Sequence, residues 1–358
     1  MSESKIPKRG DFQWFGLSGS FAPSAAAVAS TRPYFGLEPE GSYFWGTFRD
    51  AEGGVYIFMR RIPFGTHVEA PRGPGATASI GRRSVLFHYP EGSRELAVHP
   101  SSFESGYNTQ MSVTRDGDAV LFRSDSDNKG RPFHAEYRAD HVELVEQDMI
   151  SVRGETLTPG LQWYLPGRDL GIYYASQTWK VTGTIVGKEV TGFLFLEQAY
   201  MAEGAVLYAV KDVLVGEESH LTWYSFATEW DDGETEFGHF IVGHDRLGIG
   251  IVSNQHGLVV QSSTVEARVT RSADGYWSDR VDLDVDGEAW EIIQPADLRI
   301  LPTNYTPNGQ QEGIARRVGE TRTARHWMAW GETAPGHGDA RRLRFDPRYR
   351  FRGEEDQR

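Results

Sequence analysis

The chain has 358 residues, no cysteine and a formal net charge of −13. That charge repels nucleic-acid phosphate and anionic lipid, and the lack of thiols excludes disulfides, thiolate catalysis, zinc–thiolate sites and Fe–S clusters. Hydrophobic residues at 39% and aromatics at 12% suffice for a large core rich in rings. A soluble cytoplasmic protein, with no nucleic-acid partner and no membrane insertion, is the expectation.

Residues 1–39 read as an N-terminal extension. Its start, "MSESKIPKRGDFQWFG", lacks the apolar core of a secretion signal, and "SFAPSAAAVAS" is too short and too interrupted to span a bilayer. From residue 40 onward the apolar residues alternate with period two, in runs such as "GGVYIFMRR", "SVLFHY", "DAVLFRS", "LGIYYAS", "KVTGTIVG" and "VTGFLFLE". Gly- and Asp-bearing turns separate them: "DAEGG", "RDGD", "DDGE" and "VDGE". One short helical turn near residue 101 is the main helical signal, so the chain is predicted to be all-β.

An internal repeat divides it. Trp45-Gly-Thr-Phe48 before "RDAEGGVYIF" resembles Trp223-Tyr-Ser-Phe226 before "ATEWDDGETEF", and the strands closing each half echo one another. Two antiparallel β-barrel domains packed side by side, over residues 40–205 and 206–340, account for this and leave few exposed strand edges. Residues 341–358, with "RRLRFDPRYRFR" followed by acids, read as a charged, solvated tail.

Within "VTGFLFLEQAY" a carboxylate, Glu197, interrupts an apolar strand. On a strand it shares a face with Phe193, Phe195 and Ala199, while Gln198 lies with Leu194, Leu196 and Tyr200. Two readings stand: an acid desolvated against an aromatic wall, with a raised pKa, or a salt-bridged residue at the strand end. His326, Trp330 and Glu332 alternate along "RHWMAWGE", either as a polar ligand contact or as a satisfied rim. Trp45, Trp163, Trp179, Trp223 and Trp230 are either pocket walls or core.

Other chemistry finds no footing. His239 and His244 fall on opposite strand faces and make a poor chelating pair. The calcium-like run "DLDVDGEAWEII" has Ile293 where a bidentate Glu belongs, so no metal site is expected. "GPGATASIGRRS" lacks the Lys-Ser/Thr end of a phosphate loop, and "GLSGS" is not a nucleophile elbow. Glu197 with Glu332 as a glycosidase pair would depend on an accident of folding.

The order of elements over residues 40–335 resembles the two-domain lipocalin-like family that includes carotenoid 1,2-hydratases and AttH-like proteins. Where that family closes its first half with Gly-x-x-Trp-x-Asp-His, this chain has Gly192, Phe195, Glu197 and Gln198. Trp223, Tyr224, Phe226, Asp232 and Gly233 match the opening of the second half. Tyr276, Trp277, Gly331 and Glu332 match its later strands. The substitutions keep an acid but discard the imidazole. The resemblance implies two lipocalin-like barrels and cofactor-independent acid–base chemistry on a hydrophobic terpenoid- or polyketide-like molecule: hydration, dehydration, isomerisation or cyclisation. Glu197 is then the acid, Tyr200 or Tyr174 an orienting hydroxyl, and Trp179 a ring wall. Phe195, Gln198, His326, Trp330 and Glu332 complete the contacts. A non-catalytic carrier of an apolar ligand is the alternative. The oligomeric state is not legible.

Overall fold

The computed structural model describes residues 16–63, 84–90, 93, 95–102, 111–124, 130–166, 171–205, 207, 222–242, 248–273, 277–299 and 310–333. The first part of the chain contributes β1 (Leu17–Phe21), β2 (Glu38–Arg49), β3 (Val55–Pro63), β4 (Ser84–His88), β5 (Ala97–Val98) and β6 (Met111–Asp116). It continues with β7 (Ala119–Ser124), β8 (Phe133–Tyr137), β9 (His141–Glu146), β10 (Ile150–Leu165), β11 (Ile172–Ile185) and β12 (Lys188–Met201). These form one 12-stranded sheet in the order β5-β4-β3-β2-β12-β11-β10-β9-β8-β7-β6, with β1 paired to β10.

The second part supplies β13 (Thr222–Trp230), β14 (Thr235–Val242), β15 (Gly248–Asn254), β16 (Gly257–Ser262) and β17 (Val265–Arg271). After them come β18 (Ser278–Val285), β19 (Glu288–Ile293), β20 (Gln310–Gln311), β21 (Ile314–Arg317) and β22 (Ala324–Thr333). They make a 6-stranded sheet, β16-β15-β14-β13-β22-β20, and a 4-stranded sheet, β17-β18-β19-β21. The protein is all-β and antiparallel. No helix among the described residues is long and apolar enough to cross a membrane.

The long sheet curls on itself. Phe44 of β2 and Phe122 of β7 lie six strands apart in the sheet order, about 29 Å if it were flat. Their rings nonetheless meet edge to face at 5.1 Å. Inside the curl, Phe44, Phe48, Phe58, Tyr137, Trp179 and Leu194 share one core. The 6- and 4-stranded sheets close on a second core around Tyr224, Phe226, Phe240 and Trp290. A third cluster joins the two units: Trp45, Trp163, Tyr174, Phe193 and Phe195 from the first meet Trp223, Phe237, Ile241, Met328 and Trp330 from the second. Both faces of β12 are therefore buried, one inside the curl and one in this seam.

The repeat read in the sequence has a structural counterpart. β2 pairs with β3 and β12, just as β13 pairs with β14 and β22. Trp45 and Trp223 both enter the seam, while Phe48 and Phe226 point into their own units. The "VDGE" turn has Asp286 at φ 54° and Gly287 at φ 87°, the two left-handed residues of a tight hairpin.

Residues 16–39 do not stand apart from the first unit. β1 adds to β10, and helix α1 (Ala25–Val28), capped by the Ser24 hydroxyl at 3.2 Å from Ala27 N, buries Ala25 and Val28 in the first core. Period-two reading overlooked it because the helical segment is only four residues long.

Gly46 of β2 and Gly192 of β12 mark where these strands press closest. A Cβ on either would lie 2.1 Å from a carbonyl oxygen of the other strand, that of Phe193 or Thr47. Gly46→Ala is expected to cost about 1–3 kcal/mol, since backbone must move. Chemical denaturation reads this directly, and an unchanged midpoint would refute it.

Candidate functional site

β12 carries Glu197 in register between Tyr43 of β2 and Ser176 of β11, so the three side chains share the seam face of the sheet. Phe193, Phe195 and Ala199 flank it on that face, and Glu197 is 6% exposed. Across the seam stand Ser225 of β13 and His239 of β14, themselves direct cross-strand partners. The Ser225 hydroxyl donates to Glu197 Oε1 at 3.1 Å, and His239 Nδ1 lies 2.8 Å from the same hydroxyl oxygen. Nδ1 is 3.9 Å from Glu197 Oε1, too far for a direct bond, so serine bridges the two groups. The Trp45 side chain also hydrogen-bonds the carboxyl.

Burial sets the protonation states. It raises the Glu197 carboxyl to about 7, despite the opposing hydrogen bonds from Ser225 and Trp45. It pushes His239 down to about 3, so the imidazole is neutral at pH 7. A serine hydroxyl has one proton to give, which couples the two neighbours. With Glu197 ionised, Ser225 donates to it, Nδ1–H donates to Ser225, and Nε2 is a bare acceptor. With Glu197 protonated, every bond reverses and Nε2 carries the proton. The arrangement can thus move a proton between a carboxyl and a buried ring nitrogen without any group becoming a cation.

Rings wall this cluster. Trp163 packs 4.2 Å from the imidazole and lies parallel to Tyr174 at 5.2 Å, with Trp223 edge-on to both. Phe195 stacks on Trp45 at 4.8 Å, and Trp330 meets Trp45 edge-on at 5.0 Å. Three fully buried polar atoms here have no hydrogen-bond partner among the described residues: His239 Nε2, Trp163 Nε1 and Ser176 Oγ. Orphans of this kind usually mark a place where water or a ligand sits.

The residues singled out from the sequence divide accordingly. Glu197, Phe195, Tyr174 and Trp330 come together at the seam. Tyr200, Gln198 and Trp179 lie on the other side of the sheet, because strand neighbours and odd-spaced positions alternate faces. Gln198 Nε2 donates to Val28 O at 2.9 Å, Tyr200 packs between Tyr34 and Tyr173, and Trp179 meets Tyr137 edge-on inside the curl. None of the three touches the Glu197 cluster. His326, 37% exposed, sits at the far end of β22, 3.9 Å from Glu229, which Lys180 binds at 2.7 Å. Glu332 is buried in register with Trp223 and Gln310.

Ser225 and His239 are the members the sequence reading did not place in a site, and Trp163 is open there between pocket wall and core. His239 carries a signal: it alternates with Phe237 and Ile241, putting an imidazole on an apolar strand face. His244, with which the sequence pairs it as a poor chelating partner, lies outside the described residues. Among the described residues no cluster of three or more His, Asp and Glu side chains is placed to hold a metal ion.

A second buried carboxylate closes the other end of the seam. Glu312 accepts from Thr47 Oγ1 at 2.9 Å and lies 3.5 Å from Arg49 Nη2, and burial raises it to about 7. Arg49 stacks 3.7 Å over Trp327, beside a surface cleft of about 360 Å³ that Tyr89 and Asp297 also line. Its partners bind it across both units, which reads as a tie between them.

No protein-family model matches the chain, and no curated protein matches it either. Among solved structures it is similar to a protein assigned as AttH from Nitrosomonas europaea. The two are 15% identical with a TM-score of 0.44, over 84% of this chain and 93% of that one. It is also similar to kievitone hydratase from Nectria haematococca, at 9% identity and a TM-score of 0.38, over 89% of this chain and 98% of that one. The resemblance spans both units and is diffuse in sequence.

Proposed function

We propose that this chain is an enzyme that moves protons on a hydrophobic small molecule held in the seam. His239 Nε2 faces the substrate, Ser225 relays, and Glu197 stores the proton. One observation carries the reading: a buried carboxyl that titrates near 7 and a buried, neutral imidazole share one serine hydroxyl among stacked rings. A carboxyl that titrates near 7 gives and takes protons with equal ease at neutral pH. The surrounding rings favour an apolar substrate body and face any cation that develops on it. Hydration, dehydration, isomerisation and cyclisation of a terpenoid- or polyketide-like molecule all need such transfers. None of them calls for a cofactor.

The relay makes a claim that needs no substrate. In ¹⁵N-histidine NMR, His239 is expected to stay neutral from pH 5 to 9 while its proton moves from Nε2 to Nδ1 with a midpoint near 7. Glu197→Gln should abolish the switch. An imidazole that protonates as an ordinary histidine, or a tautomer indifferent to Glu197, would sink the relay. For chemistry, native mass spectrometry identifies the apolar molecule that co-purifies. In D₂O the wild-type protein should label that molecule, and Glu197→Gln should not. A variant that binds it unchanged and labels it equally well would favour the carrier reading.

A further inference from the structure

Two of the three orphaned atoms play no part in the relay. Trp163 Nε1 is an obligate donor, and the Ser176 hydroxyl has a proton to give. Trp163 and Ser176 are each 1% exposed, so neither atom is spared by bulk water. Ser176 is the direct cross-strand partner of Glu197, and the Trp163 indole packs on the His239 ring. Leu161 of β10 faces Ser176, and Trp163, two residues on, faces Tyr174, so both donors rise from adjacent rungs of one sheet face. An alkene or a pure hydrocarbon would leave both donors unpaired beside it, at a cost in affinity. An oxygen acceptor is what each donor calls for.

We propose that Trp163 and Ser176 together grip a carbonyl oxygen of the substrate, whose adjacent carbon exchanges its proton with His239 Nε2. The inference rests on the relay reading and narrows its substrate class to carbonyl compounds, an enone or a β-hydroxy ketone among them. The step balances. The α C–H bond breaks, its electron pair forms the enolate C=C, and the carbonyl π pair moves to oxygen as an oxyanion that the two donors hold. The proton goes to Nε2 as Nδ1–H passes to Ser225 and the Ser225 proton passes to Glu197, which ends as the acid. Delivery of that proton to the same or a conjugated carbon reverses the sequence.

The test compares benzylideneacetone with 1-phenyl-1-butene, a hydrocarbon of nearly the same shape, binding to the full-length protein. The ketone is expected to bind at least tenfold tighter and to shift its absorption to the red. Ser176→Ala and Trp163→Phe should each reduce that preference about fivefold to tenfold, while leaving hydrocarbon affinity in place. Ser176→Ala removes one oxygen and no packing, so it serves even if the tryptophan variant unfolds. Equal affinities, failure of the ketone to bind, or a preference untouched by Ser176→Ala overturns the inference. Glu197→Gln separates the two proposals. A preference that survives it with the tautomer switch absent from the wild type leaves the oxygen grip standing and the relay refuted; the reverse pattern refutes only the grip.

Discussion

Glu197→Gln is expected to yield an inactive protein that is more stable than the wild type at pH 8. The sign follows from burial. In the unfolded chain the carboxyl titrates near its ordinary 4.5, and in the folded protein near 7. Between those values the folded state holds a proton that the unfolded state has released. Stability therefore falls as pH rises through this window and stays reduced above it. A shift of this size corresponds to about 3 kcal/mol at pH 8, and glutamine, which never ionises, escapes it. Chemical denaturation at pH 8 should show that gain, and at pH 4.5 the two proteins should nearly coincide. A variant less stable than wild type at pH 8 would mean that the carboxylate is held by bonds stronger than its desolvation. His239 runs the opposite way: with its pKa lowered to about 3, its stability cost grows as pH falls below 6.5.

Breaking the buried ion pair inside the first unit should unfold most of the protein's margin. Arg60 and Glu146 are both 0% exposed. Arg60 Nε donates to Glu146 Oε2 at 3.2 Å, a second guanidinium nitrogen pairs with Oε1, and Ser84 adds a hydroxyl at 3.2 Å. Phe133 lies under the guanidinium at 5.2 Å. Glu146→Ala removes the carboxylate that pairs with this buried guanidinium, and the expected cost is about 3–5 kcal/mol. Replacing both partners, Arg60→Met with Glu146→Leu, removes two desolvated charges together and should recover most of that loss. Urea denaturation of the four proteins in a double-mutant cycle gives the coupling. A Glu146→Ala protein within 1 kcal/mol of wild type would contradict the burial of the pair.

The sequence carried the strands and their turns plainly, because alternation and Asp-Gly turns are local, and the two-fold repeat only faintly. It also carried Glu197 among phenylalanines on one strand face. What it could not convey was which face of β12 meets the seam. Both faces are apolar, so the alternation that usually distinguishes core from solvent is absent there. Tyr200 and Gln198 are adjacent to the acid in sequence and remote from it in space for the same reason. Ser225 and His239 reach Glu197 only through the docking of two sheets, a contact no periodicity encodes. Trp163 is one of five tryptophans open between pocket wall and core, and what sets it apart is an indole nitrogen without a partner among the described residues, on a ring packed against His239.

The acid belongs to one half of the chain and the imidazole to the other, and this has a consequence for how such a protein can be divided. Cut between Met201 and Thr222, each half would retain its own core yet hold only part of the Glu197–Ser225–His239 cluster. The covalent connection does more than join modules. It fixes the local concentration at which carboxyl and imidazole encounter each other, and two separate fragments at micromolar levels would have to supply that through binding alone.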